Sequence, residues 1–441
     1  MPLNAKIITY TANTGAGDQN LTGNGFIPIA AIVYFTAGNN AVDTFVEGSS
    51  FGFGFTDGTA SRAFFNVSED AQASSDCARI ARNDALIVQL NLTGTVTTED
   101  ARASFVRWNT DGMTINWSNP PTAAFKFHVL YLGGSDLTNA KVGDITISAN
   151  STVGYTGVGF HPQLLFMVGA HNTAFNLAVG DGTSFMLGAT GCTNRTINFR
   201  SSAGFVSEGA RATMDTWQDI NTGPAFNVEI DATTGAAFNL SSIISLDRDG
   251  FTLTNSGFVA NTTKSYLALN GGEYFTTSSL EPGSTGLQTI EVAAEMSHGC
   301  KAVMIFGCDT ATAGTVQTDN VFSLGVATTA TPAITKAVEQ VVVVEADLDA
   351  AADSAGTTRY ETDSVYLNIT PAVTATSSTL DDEANIDSFT NSGFIINWSN
   401  IGNARRFFYV AFGNSTPDFP SRAHGKIHTA FDSNTGPAVY G

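Results

Sequence analysis

One pattern recurs three times along the chain, and this constrains the fold more than any other feature. A segment Gly25-Phe26-Ile27-Pro28, leading into Ala30-Ala31-Ile32-Val33-Tyr34-Phe35, returns as Gly159-Phe160-His161-Pro162 followed by Leu164-Leu165-Phe166-Met167-Val168. A looser copy reads Gly299-Cys300-Lys301-Ala302-Val303-Met304-Ile305-Phe306. Further marks follow in the same order: Asp111-Gly112-Met113-Thr114-Ile115-Asn116-Trp117, Asp249-Gly250-Phe251-Thr252-Leu253 and Ser392-Gly393-Phe394-Ile395-Ile396-Asn397-Trp398. Each copy closes on an apolar run ending in glycine, at Gly133-Gly134, Gly271-Gly272 and Gly413.

The spacing of about 135 to 140 residues far exceeds that of solenoid or propeller repeats, so each copy reads as a domain. The expected division is 1–136, 137–274 and 275–414, with a C-terminal arm at 415–441. Three related domains imply a built-in threefold arrangement or a linear rod, and such chains serve structure or multivalent binding.

Within each copy the strand signal dominates. Met113, Ile115 and Trp117 alternate with Thr114 and Asn116, the period-two pattern of a half-buried strand, and Phe251 with Leu253 and Phe394 with Ile396 and Trp398 repeat it. A second shared strand is expected at Phe51–Phe55, Phe175–Val179 and Phe322–Val326, with hairpin turns at Asp57-Gly58 and Asp181-Gly182. Val341–Val344 reads as a strand, and Ala350–Ala352 as the one place for a helical turn. Short strands punctuated by turns give the expected fold class: all-β, three tandem antiparallel β-sandwich, jelly-roll-like domains. Phe26, Phe160, Phe51, Phe175, Phe322, Trp117, Phe251 and Trp398 are the expected core markers. Asp111, Gly112, Asp249, Gly250 and Gly393 are expected in turns. The arm carries Phe419, Phe431 and Tyr440, which a lone chain would leave exposed, so it is expected to dock on a neighbouring subunit.

Only 14% of residues are charged, and the formal net charge is -20. Nucleic acid is therefore a poor partner, because phosphate binding draws on clustered Lys and Arg, and Arg405-Arg406 is the nearest approach to a cluster. No apolar run is long enough to span a membrane as a helix. The first residues lack a basic region followed by an apolar run, so the chain is expected to be made in a host cytoplasm without a signal peptide. Cys77, Cys192, Cys300 and Cys308 show no metal-binding spacing and read as buried thiols, with a Cys300–Cys308 bridge as the alternative.

The residues that could carry chemistry are sparse. A glycosidase needs two carboxylates across a sugar, but Asp111 and Asp249 correspond to Ser392 and always precede Gly, which marks a turn. Asp247-Arg248-Asp249-Gly250 starts like a calcium loop and then lacks the remaining ligands; structural calcium between subunits stays open. His424 and His428 have helical metal spacing, yet Gly425 opposes a helix, and His128, His161, His171 and His298 are scattered. No nucleophile elbow or phosphate-binding glycine pattern occurs. Phe outnumbers Trp and Tyr together, 31 against 14, which favours core packing over a sugar-binding platform. Such a platform would fall to Trp108 and Trp217.

The Gly-Phe-X-Pro opening, the Asp-Gly-Phe-Thr-Leu strand and the closing Tyr-Leu-Ala-Leu-Asn-Gly-Gly resemble β-sandwich modules of structural proteins from tailed bacterial and archaeal viruses. The likeness touches all three copies, is clearest in the second, covers about a third of each and transfers no catalytic residue. It implies a non-enzymatic virion protein on the particle exterior, as a capsid decoration, head fibre or tail component. Its implied partners are copies of itself and other virion proteins, with no nucleic acid and no membrane. The alternative is a lectin-like protein binding host surface glycans through Gly180–Ser184 or Asn194–Ser202.

Overall fold

Apolar residues on two successive positions of a strand can all be buried only if the sheet is covered on both faces. The runs Ala30–Phe35, Leu164–Val168 and Ala302–Phe306 are of this kind. A computed structural model shows how each face is covered. It describes residues 3–414, except 38–40, 71, 73–74, 95, 194–195, 211–213, 222–224, 232, 260, 293–295, 297–298, 330–337, 350–355 and 373–377. Phe419, Phe431 and Tyr440 of the expected arm, His298, His424, His428 and Ala350–Ala352 lie outside the described residues.

The described chain is all-β, of antiparallel sandwich type, and its strands form six sheets. In the first lobe a seven-stranded sheet runs β1 (Leu3–Thr11), β11 (Lys126–Gly134), β3 (Pro28–Phe35), β5 (Ser49–Thr56), β6 (Ser61–Glu69), β7 (Asp76–Arg82), β15 (Gly180–Asp181). It faces a four-stranded sheet of β2 (Gly17–Thr22), β10 (Gly112–Asn119), β9 (Glu99–Asn109) and β8 (Ile87–Leu90). The second lobe has β12 (Asn139–Ile147), β22 (Thr262–Asn270), β14 (Leu164–Asn172), β16 (Thr183–Thr193), β17 (Thr196–Ser207), β18 (Thr216–Asn221) and β26 (Gln317–Thr318). Its smaller sheet is β13 (Thr152–Thr156), β21 (Gly250–Ser256), β20 (Ala237–Asp247) and β19 (Ala225–Ile230). The third has β23 (Glu273–Leu280), β33 (Arg406–Gly413), β25 (Cys300–Cys308), β27 (Asn320–Thr329), β28 (Val338–Asp347), β29 (Gly356–Glu361) and β4 (Val46–Glu47). Its smaller sheet is β24 (Gly286–Glu291), β32 (Gly393–Asn400), β31 (Thr379–Phe389) and β30 (Tyr366–Thr370).

The last strand of each large sheet is borrowed. β15 of the second lobe pairs with β7 of the first, β26 of the third with β18 of the second, and β4 of the first with β29 of the third. The donations run round all three lobes, so one edge strand of each large sheet, β7, β18 and β29, is paired by a neighbouring lobe. A residue with positive φ follows each donated pair, at Gly48, Gly182 and Asp319, and turns the chain into the next long strand.

Burial follows the pleat. Ala31, Val33 and Phe35 point to a core private to the first lobe, shared with Met113, Ile115 and Trp117 of the small sheet. Ala30, Ile32 and Tyr34 point the other way, into a core to which every lobe contributes. β14 and β25 divide in the same way: Leu164, Phe166 and Val168, with Ala302, Met304 and Phe306, join the common core. Leu165 and Met167, with Val303 and Ile305, join private ones. The three lobes meet at Phe51, Phe185 and Phe322, whose ring centroids are separated by 4.8, 5.1 and 5.5 Å. Each fully buried Phe is worth about 1.5–3 kcal/mol relative to exposure, so this junction ties the lobes together by burial alone.

Two expectations are corrected here. Phe175 is not on a strand: it lies in a bend, half-buried, with its ring 6.1 Å from Phe64 and the Arg62 guanidinium over it. Phe185, ten residues later, takes the position matching Phe51 and Phe322. Phe175-Asn176-Leu177-Ala178-Val179 alternates like the genuine strands but has no sheet neighbour, and pairing decides. Asp181-Gly182 consequently forms no hairpin; Asp181 ends the donated strand.

Candidate functional site: a groove between the first and third lobes

The first strand of each large sheet packs on the preceding lobe: β12 on the first, β23 on the second and β1 on the third. These junctions differ in what fills them. Between the first two lobes, Arg62 of β6 makes a two-pronged bond to Asp144 of β12, at 2.7 Å from Nε and 2.6 Å from Nη2. The places matching these residues at the junction of the third and first lobes are read from the registers. Arg62 faces Phe55, four residues beyond Phe51, and Val341 faces Val326, four beyond Phe322. Asp144 and Thr9 each lie four residues beyond the Ala paired with the closing strand, Ala140 and Ala5. Val341 and Thr9 are too short to fill the space that Arg62 and Asp144 occupy.

A cleft of about 520 Å³ results, within the range of small-ligand sites. β1 from Lys6 to Thr9 and β28 from Val338 to Val341 form its walls, with Thr22, Gly23 and Thr362 at its margin. Lys6 Nζ lies 3.1 Å from Glu339 Oε1, while Glu339 Oε2 is buried without a hydrogen-bond partner. The walls therefore combine hydroxyls, one ion pair and the aliphatic faces of Ile7 and Val341, a lining suited to a neutral, hydroxyl-rich ligand.

Behind the groove, His128 stands between the rings of Tyr34 and Tyr360, 5.4 and 5.5 Å away, and its Nδ1 lies 2.9 Å from the Thr9 hydroxyl. Burial, assisted by the nearby Lys126 ammonium, pushes the His128 imidazole down to about 3, so it is neutral at physiological pH. It orients Thr9. Tyr34 donates to the Val341 carbonyl at 2.9 Å and so ties the groove floor to the first lobe. Glu339 is the single carboxylate among the described residues of the lining.

The residues singled out in the sequence lie elsewhere. The Asp111 carboxylate accepts from the backbone N–H of Gly23, at 3.1 Å, and of Gly25; Asp249 does the same for Gly157 and Gly159, at 3.3 and 2.6 Å. Both fasten the loop before a Gly-Phe opening to the turn before a strand. Gly112, Gly250 and Gly393 each begin that strand with positive φ, where a Cβ would overlap the carbonyl oxygen of Leu21, Tyr155 or Ile290. Trp117 and Trp398 are buried, donating from Nε1 to Gln19 and Gln288 at 2.7 and 2.9 Å. Phe251 is buried between Tyr155 and Tyr266, and Phe26 and Phe160 are half-buried against the private cores. Trp108 is half-buried with its ring 4.6 Å from Phe105, and Trp217 is also half-buried, on a different lobe, so the two form no common platform. The segment expected to hold glycan-contact loops is occupied by β15, β16 and the start of β17. The Asp247 carboxylate is taken by the Ser245 and Thr252 hydroxyls, at 2.7 and 2.8 Å.

All four cysteines are free and buried. Cys300 and Cys308 sit at opposite ends of β25, roughly 26 Å apart at strand rise, which rules out a bridge. Asp43, Glu361 and Asp363 bring carboxylate oxygens within 4.8 Å of one another, but Arg359 Nη2 already lies 2.5 Å from Glu361. No helix among the described residues is long and apolar enough to cross a membrane. The groove escaped the sequence reading because it depends on what Thr9 and Val341 lack. The available signal was Thr9 standing where the second copy has Asp144. No known protein family, curated protein or solved structure matches the chain.

Proposed function

We propose that the chain is a non-enzymatic structural protein of the exterior of a virus particle, a capsid decoration, head fibre or tail component. The observation that supports this most is the cyclic donation of edge strands among three lobes around one core. That arrangement spends sequence on mutual locking, which suits a durable block. The outward edges of the small sheets, β2, β13 and β24, are largely exposed and have no further strand beside them among the described residues, and they give copies of the chain or other particle proteins three comparable places to add a strand. The net charge of -20 keeps assembled particles apart. Immunogold labelling of particles from a producing culture tests the reading: gold on heads or tails supports it, and unlabelled particles refute it.

The groove favours a second reading, a lectin-like protein that holds a host glycan between β1 and β28. A glycan array tests it with the wild-type chain and with Thr9→Asp/Val341→Arg, which copies the Arg62–Asp144 pair into the groove. Signal lost in the variant supports the groove as the site; signal retained places binding elsewhere.

A further inference from the structure

Beyond the three phenylalanines, one register step along, the junction becomes polar. Ser49 lies opposite Ser68 in the first lobe, Thr183 opposite Ser207 in the second and Asn320 opposite Asp347 in the third. These pairs converge with Glu345. Ser207 Oγ donates to Asp347 Oδ2 at 2.8 Å. Ser49 Oγ donates to Glu345 Oε2, and Asn320 Nδ2 to Glu345 Oε1 at 3.0 Å. Side chains of all three lobes thus surround two carboxyl groups, and every one of them is fully or almost fully buried.

Two features of the cluster are unusual for a protein interior. Among the described residues no Lys, Arg or His pairs with Glu345 or Asp347, and Asp70 adds a further negative charge near Asp347. Buried carboxylates without a counter-charge cost several kcal/mol each. In addition, Asp347 Oδ1, Asn320 Oδ1 and Thr183 Oγ1 are buried without a hydrogen-bond partner. Asn320 stands opposite Asp347 in the register, and its amide nitrogen is bound to Glu345, so its side chain belongs to the cluster.

We propose that the three-lobe junction binds one calcium-class cation, held by Asp347, Glu345, the Asn320 carbonyl and the Thr183 hydroxyl. Every donor is oxygen, which selects a hard cation. Two carboxylates balance a divalent charge, and with the surrounding serines the oxygen count reaches the six to eight that calcium takes. Magnesium fits poorly, since it retains water and demands a strict octahedron. The third lobe alone brings the charge: Ser68 and Ser207 match Asp347, and Asn66 and Phe205 match Glu345. The stoichiometry is therefore one ion per chain, and the ion locks the lobes together.

The test is calorimetric titration of CaCl2 into the chelator-treated full chain, with thermal unfolding followed with and without calcium. One Ca2+ per chain and a raised melting temperature are expected, with a much weaker response to MgCl2. Asp347→Ser/Glu345→Asn copies the first lobe's residues and is expected to fold, judged by circular dichroism, while losing both binding and the calcium-dependent shift. Should it not fold, Asp347→Asn preserves shape and is expected to weaken binding more than tenfold. No binding by the wild type at millimolar calcium, with both carboxyls showing the infrared C=O stretch of protonated acids, would overturn the proposal. So would undiminished binding in the folded variants.

Discussion

Truncation of Phe185 to Ala probes whether the three lobes stand or fall together. The Phe185 ring lies 4.8 Å from Phe51, 5.6 Å from Phe53, 5.9 Å from Phe205 and 5.5 Å from Phe322, so its removal opens a cavity walled by every lobe. Buried Phe→Ala changes cost about 3–5 kcal/mol through lost transfer energy plus the residual cavity. Here the upper part of that range applies, because strands anchored from three directions cannot collapse into the space. Native-state hydrogen exchange reads the effect strand by strand. A loss of about 4 kcal/mol accelerates the slowest amides roughly a thousandfold. The shared core requires this acceleration in β3, β14 and β25 alike, although only β14 belongs to the mutated lobe. Acceleration confined to β12–β22 would refute the claim that the lobes form one cooperative unit.

Other consequences follow from single sites. Lys264 Nζ and Glu229 Oε1 form a 2.6 Å pair with both side chains fully buried, so Lys264→Met should cost about 3–5 kcal/mol in urea unfolding, and adding Glu229→Leu should restore much of it. Gly250→Ala should destabilise by more than about 1–2 kcal/mol, because the Cβ meets the Tyr155 carbonyl at positive φ, whereas Gly283→Ala, with open space around it, should be near neutral. Stability should fall as pH rises from 5 to 8 in the absence of divalent cations. Burial raises Glu281 to about 8, with Asp382 adding to it, and raises Asp219 and Asp347 to about 7, so these groups keep protons in the folded chain that the unfolded chain has released above about pH 4 to 4.5. Melting temperatures measured at both pH values check the sign, and Glu281→Gln should flatten the slope.

The sandwich class was legible because β10, β21 and β32 face a core on one side only, and the alternation of Met113, Ile115 and Trp117 states this outright. The runs in β3, β14 and β25 are apolar at successive positions, but nothing in them says what covers the second face. That answer lies in other lobes, and no local pattern encodes it. The donated strands are two residues long, too short for any periodicity, and Gly180-Asp181-Gly182 looks like an ordinary hairpin turn. Phe175 misled for a related reason: its neighbours alternate correctly, but Phe185 is the residue whose strand has partners on both sides. No sequence pattern marks Glu345 and Asp347 as buried, since only the convergence of three lobes takes them out of water.

The strand donations also set an order of events on the ribosome. β4 is made early, yet its acceptor β29 follows about 310 residues later, an interval of roughly 15–60 s at 5–20 residues per second. Over that interval the Phe51 face of the nascent first lobe is covered in stages, since Phe185 follows Phe51 by about 134 residues and Phe322 by about 271. The finished fold gains its locking from a chain whose first third must wait for its last.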